Sequence, residues 1–187
     1  MLDVNHYKMR QTSTAIYFWG GPASQWYLKA PFRQRFEVAG AVFAFNCAEQ
    51  YMMAAKARLF HDTTVFDLIM ASKVPKTQKD LGRQVKGMHG PKWDAHDKAI
   101  WDAAAPDVLV HANLAKFSQN PEILEWLLST AGKQLVEGSP VDRIYGVGIR
   151  YDDPRIEDPA NWLGLNLLGK TLEAVRDRLS QTQCRPK

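Results

Sequence analysis

Apolar positions follow two periods along this chain, one near two residues and one near three and a half, and together they divide it into elements. AIYFW (15–19) is an unbroken apolar run suited to a buried strand, and Gly20-Gly21-Pro22 ends it. Phe36, Val38, Val42 and Phe45 alternate around Ala39-Gly40, which predicts a hairpin of RFEV and VFAF. NCAEQYMMAAKARLF follows, rich in strong helix formers, and predicts a helix over Cys47–Phe60. Asp62 is placed to cap a helix through Ala71, and Pro75 to open another running through KTQKDLGRQV. Pro91 can start a helix through WDAHDKAIWDAA, with a break at Pro106 before VLVHANLAKFSQ.

Asn120-Pro121 opens the helical EILEWLLSTA. Beyond it, QLVEG and RIYGVGI read as two strands joined by the turn SPVD, and DDPRIEDPANW as loop. An amphipathic helix closes the chain over Leu167–Leu179. The expected fold class is α+β: a single compact domain with many helices around a small β-sheet. Residues 1–14 form a polar lead-in, 15–180 the domain and 181–187 a polar tail.

Within the helix over 47–60, a glutamate and a lysine stand out against an apolar surface. Glu49 and Lys56 are seven residues apart, so they project from one face about 10 Å apart along the axis. Either both heads snorkel to water over their stems, or both line a pocket.

Composition narrows the chemistry. A chain of 187 residues with 45% hydrophobic and 24% charged residues can bury one sizeable core. A net charge of +4 permits a phosphate-bearing or nucleic-acid partner without demanding one. Cys47 and Cys184 are the only cysteines, which gives no disulfide framework. With no apolar run of the roughly 18 residues a span needs, no membrane partner is expected, and the protein reads as soluble and cytoplasmic. His6, His61, His89, His96 and His111 form no metal-ligand spacing, so neither a metal nor another cofactor is expected.

YGVGIR (145–150) lacks the third glycine of a dinucleotide fingerprint, and Gly146 and Gly148 read instead as a bend or a close backbone approach. Arg83 stands out of the basic stretch KTQKDLGRQVKG, because its planar fork suits a phosphate and Gly82 beside it leaves room for one. Trp101 and Trp126 fall on helical apolar stripes and read as core. Trp26, Trp93 and Trp162 sit among loop residues, where a flat ring can stack on a heteroaromatic base. Glu49, Glu137 and Asp142 are the carboxylates available for the acid and the charge-stabilising roles that glycosidic cleavage requires.

IYFWGGPASQWY, AEQYMMAAKARLF, LGRQVKG followed by PKW, KFSQNPEILEWLLSTAGKQLVEGSPVD with YGVG, and WLGLNLLGKTLEAVR together resemble the NADAR, or YbiA-like, family over about residues 16–179. The resemblance implies hydrolysis of N-glycosidic bonds in ribosylated nucleobase-like compounds. Its substrate would be an ADP-ribose-bearing guanine, free or in nucleic acid, or else a phosphorylated ribosyl pyrimidine of riboflavin biosynthesis. It further implies a functional pairing with a DNA ADP-ribosyltransferase toxin. A non-catalytic ADP-ribose binder is the rival from another class.

Residue by residue, the resemblance assigns Glu49, Lys56 and Asp142 to catalysis. It assigns Arg83, Trp93, Glu137 and Asn166 to substrate binding, and Ser24, Trp26, Tyr145, Gly146 and Trp162 join them as candidate substrate-binding residues. Tyr145 stands where many relatives carry tryptophan, and Ser24-Gln25-Trp26 replaces the commoner Ser-Asn-Phe. The expected arrangement places ribose between the 47–60 helix and the Glu137/Asp142 edge. Lys56 acts there either as an electrostatic or acid group or as an amine forming a transient Schiff base.

Overall fold

The computed structural model describes residue 4, residues 6–36 and residues 41–183. It divides into two compact units, one of Leu28–Lys116 and one of the chain before and after it.

In the first of these, β3 (Phe32–Arg35) and β4 (Val42–Phe45) pair antiparallel, with Phe32 opposite Phe45 and Arg35 opposite Val42. The hairpin exists, and its first strand among the described residues is FRQR, which meets the expected RFEV at Arg35. Phe36 leaves the ladder to stack on Tyr51, with ring centroids 5.1 Å apart and planes 15° apart. Glu37, Val38 and Ala39-Gly40 lie outside the described residues.

Helix α1 (Ala48–Leu59) follows directly. It is buried on nearly every side, as a central helix must be when its residues are Ala, Met and Tyr. Gln50 ties it to α2 (Thr63–Ala71), donating to the terminal carbonyls of Ile69, Met70 and Ser72 at 3.0–3.2 Å. Asp62 caps α2 as expected, accepting from Val65 N at 3.1 Å, and its other oxygen accepts from Lys86 N at 3.1 Å.

Helix α3 (Pro75–Gly82) packs on α1. A β-carbon on Gly82 would lie 2.0 Å from Met53 Sδ, so the space that this glycine leaves is filled by Met53 and offers no approach to a ligand.

Helix α4 runs Ala95–Ser118, with all but its last two residues in this unit. Pro91 does not open it. Asp94 and Asp97 form a reciprocal cap one turn later: Asp97 N donates to Asp94 Oδ1 at 2.8 Å, and Asp94 N to Asp97 Oδ2 at 3.2 Å. Nor does Pro106 break it. Proline costs one intrahelical bond, and the buried stripe of Trp101, Ala105, Leu109, Ala112 and Ala115 holds the helix through it.

In the other unit, β1 (Met9–Gln11), β2 (Ala15–Phe18) and β5 (Gln134–Glu137) form a sheet in the order β1-β2-β5. The first pair is antiparallel and the second parallel, with Phe18 opposite Glu137. Thus part of the segment read as a polar lead-in contributes a strand. RIYGVGI does not: Asp142 Oδ1 accepts from Ile144 N at 3.0 Å and Tyr145 N at 2.8 Å, which winds the chain into turns.

Helices α5 (Pro121–Ser129) and α6 (Leu167–Gln183) complete the unit. The outer edge of β5 is closed by side chains. Leu135 N donates to Glu173 Oε1 at 2.8 Å, and Asn166 bonds the backbone on both sides of Val136. No helix of the described residues is long and apolar enough to cross a membrane.

Candidate active site

Neither Glu49 nor Lys56 snorkels from α1. Glu49, in its first turn, is only 6% exposed. Lys56, two turns later, is half-buried, and its ammonium lies 4.1 Å from the centroid of the Trp93 ring and 5.6 Å from that of Trp101. Burial pushes the Lys56 amine down to about 8, and the nearby Arg83 guanidinium adds to the effect. At pH 7 about one Lys56 in ten is then neutral, against about one in three thousand for an ordinary lysine.

Trp93 is fixed by its surroundings. Its Nε1 donates to Val85 O at 2.7 Å, and the Phe60 ring packs 4.4 Å from it. The expected stacking platform is thus already engaged by Lys56 and Phe60. Arg83 ends α3 with its side chain exposed, paired to Asp80 Oδ1 at 3.2 Å. Such an exposed pair is weak and yields readily to a phosphate.

The other unit gathers Glu137, Asp142, Tyr145, Gly146, Trp162 and Asn166 around the end of β5. Val147 N donates to Glu137 O at 3.0 Å, and a β-carbon on Gly146 would lie 2.8 Å from that same oxygen. Gly146 therefore serves a backbone approach. Asn166 is wholly buried, with φ 52°; its Oδ1 accepts from Glu137 N at 3.0 Å and its Nδ2 donates to Leu135 O at 2.9 Å. Trp162 donates to Ile156 O at 2.8 Å and packs on the core of Tyr17, Val136, Val147 and Ile149. Asp142 holds the Tyr145 backbone in place. Ser24 and Trp26 lie in the segment after β2, where Ser24 Oγ accepts from Trp26 N at 3.1 Å and the Trp26 ring is exposed.

Sequence reasoning passed over two residues. Lys116 is 0% exposed, and burial drives its amine down to about 7, with the Cys47 thiol opposing this. Burial also raises that thiol, to about 11. The signal was a lysine in helical register with Leu109 and Ala112. The second is Asp97, whose reciprocal cap with Asp94 was legible as D-x-x-D. Among the described residues no group of histidine, cysteine and carboxylate side chains is arranged to hold a metal.

Residues 17–180 match the NADAR domain. The chain belongs to the NADAR family. It is 39% identical over 160 residues to N-glycosidase R617 of Acanthamoeba polyphaga mimivirus, a match covering 84% of this chain and 87% of that one. It is 38% identical over 135 residues to Protein irg-1 of Caenorhabditis elegans, covering 72% of this chain but only 61% of that longer protein. The NMR structure of the E. coli protein YbiA shares the fold, with a TM-score of 0.69 at 23% identity, over 97% of this chain and 94% of YbiA. The α+β class expected for this NADAR chain is the class observed.

Proposed function

We propose that this NADAR chain is an N-glycosidase that hydrolyses the bond between ADP-ribose and guanine, in nucleic acid or in a nucleotide. The N-glycosidase name of its mimiviral relative supports the reaction class. The observation that carries the mechanism is the Lys56 amine, held against Trp93 and brought near neutral pH. An amine so placed is a nucleophile in waiting, which favours the covalent route over a purely electrostatic one.

In this reaction the ribose ring opens at C1, with a proton supplied by Glu49. Lys56 Nζ adds to C1, the C1–N bond to the base breaks, and the base leaves carrying a proton. Water then hydrolyses the lysine–C1 imine, releasing ADP-ribose, restoring the amine and returning the proton to Glu49. Arg83, exposed and close enough to act on Lys56, takes phosphate oxygens of the diphosphate. The functional partner of such an activity is a guanine-directed ADP-ribosyltransferase, whose product it reverses.

The test is direct. Purified protein is given ADP-ribosylated guanine in a short DNA strand and, separately, a phosphorylated ribosyl pyrimidine. Release of ADP-ribose from the first is expected. Release of ribose 5-phosphate alone moves the assignment to riboflavin-pathway intermediates, and stoichiometric binding without turnover moves it to a binding module.

A further inference from the structure

Trp93 reaches Lys56 from a loop, and that loop is held by carboxylates. Its start is fixed where Lys86 N donates to Asp62 Oδ2 at 3.1 Å. Its middle turns back at a bridge between Gly87 and Gly90, and there Met88 N donates to Asp97 Oδ1 at 2.9 Å. Its end is fixed where Asp94 N donates to Asp97 Oδ2 at 3.2 Å. One buried side chain, Asp97 at 1% exposure, thus grips the backbone on both sides of the stretch that delivers Trp93. The fit is close: a β-carbon on Gly87 would lie 2.1 Å from Asp97 Oδ2. The hydrogen bonds from Met88 and Asp94 hold the Asp97 carboxyl below its ordinary range, so it is an anion at neutral pH.

The geometry points to Asp97 as a positioning residue for catalysis. By holding Met88 and Asp94 it keeps the Trp93 ring over Lys56 and so keeps that amine out of water. The inference rests on the reading of Lys56 as the reactive amine. Asp97 touches no reacting atom, and direct electrostatics does not explain its effect. The charged group that acts on Lys56 is Arg83 at the end of α3, α4 meets it with the uncharged Trp101 ring, and Glu49 is two turns away on its own helix.

This distinction fixes a sign. Removing an anion near a lysine lowers the lysine's affinity for a proton, whereas letting water reach a buried lysine raises it. Asp97→Asn keeps one acceptor, loses the charge and loosens the loop. The readout is competitive acetylation of the protein across pH, with the peptide carrying Lys56 followed by mass spectrometry. It needs no substrate, so a failure of turnover, which would refute the proposed function, is distinguishable from a failure of Asp97 to hold Lys56 out of water.

Wild type should show a midpoint near 8. Asp97→Asn should move it up by about one unit, toward an ordinary lysine. Asp94→Ala removes the cap on Asp97 N but not the two bonds that the Asp97 carboxylate accepts, so it should lower the melting temperature and leave the midpoint in place. A folded Asp97→Asn variant whose midpoint is unchanged or lowered overturns the inference. If that variant does not fold, Gly87→Ala displaces the carboxylate with its charge intact, and the same upward shift is required of it.

Discussion

The Lys56 ammonium stands 4.1 Å from the centroid of the Trp93 ring, and the two residues define each other's chemistry. The ring shields the amine from water, and the amine covers a ring that would otherwise be free to stack on a base. A cation held this way is a cost to the fold that a purely structural residue would not impose.

That cost is measurable. The Lys56 amine is lowered in the folded state to about 8 from its ordinary 10.5. Between those values the unfolded chain holds a proton that the folded chain has released, so stability rises with pH across that window. Below it both states are protonated and the full penalty is present. Lys56→Met should therefore stabilise the protein at pH 7 by about 1 kcal/mol, after discounting for partial solvent screening. The gain should fade as pH rises through the window. Urea titrations of both proteins at pH 7 and above 10 check it.

Asn166 separates a substrate contact from a structural one. Both ends of its amide are used on the β5 backbone, and its φ of 52° suits asparagine better than most residues. Asn166→Ala should cost about 2–3 kcal/mol of stability by leaving buried backbone groups unpaired. A substrate contact alone would leave the melting temperature unchanged and raise KM. Thermal denaturation decides.

Gly82 makes a similar point at the contact of α1 and α3. Gly82→Ala places a β-carbon 2.0 Å from Met53 Sδ, and overpacking of this kind costs about 1–3 kcal/mol. Adding Met53→Ala should recover part of the loss from Gly82→Ala, which a double-mutant cycle measures as a favourable coupling.

Much of this was legible from the chain alone. Helical propensity and the Asp62 cap gave α1 and α2 nearly to the residue, and the order of the motifs gave the family. What escaped was tertiary. No local rule says that Phe36 quits a strand to stack on Tyr51, or that a buried stripe carries α4 through Pro106. RIYGVGI has the composition of a strand, and a single carboxylate, Asp142, folds it into turns. At the site, Glu49 and Lys56 were visible as an acid and a lysine set among apolar helical residues. The roles of Asn166, Gly82 and Trp162 were not, because each answers to a partner distant in sequence.

Reductive trapping tests the centre of the account. The protein is incubated at pH 8 with ADP-ribosylated guanine and sodium borohydride, digested, and its peptides weighed. A single ADP-ribosyl adduct on Lys56 is expected, absent without substrate and absent from Lys56→Met. Turnover under the same conditions with no adduct on any lysine, or with an adduct on Lys116 in place of Lys56, would contradict it.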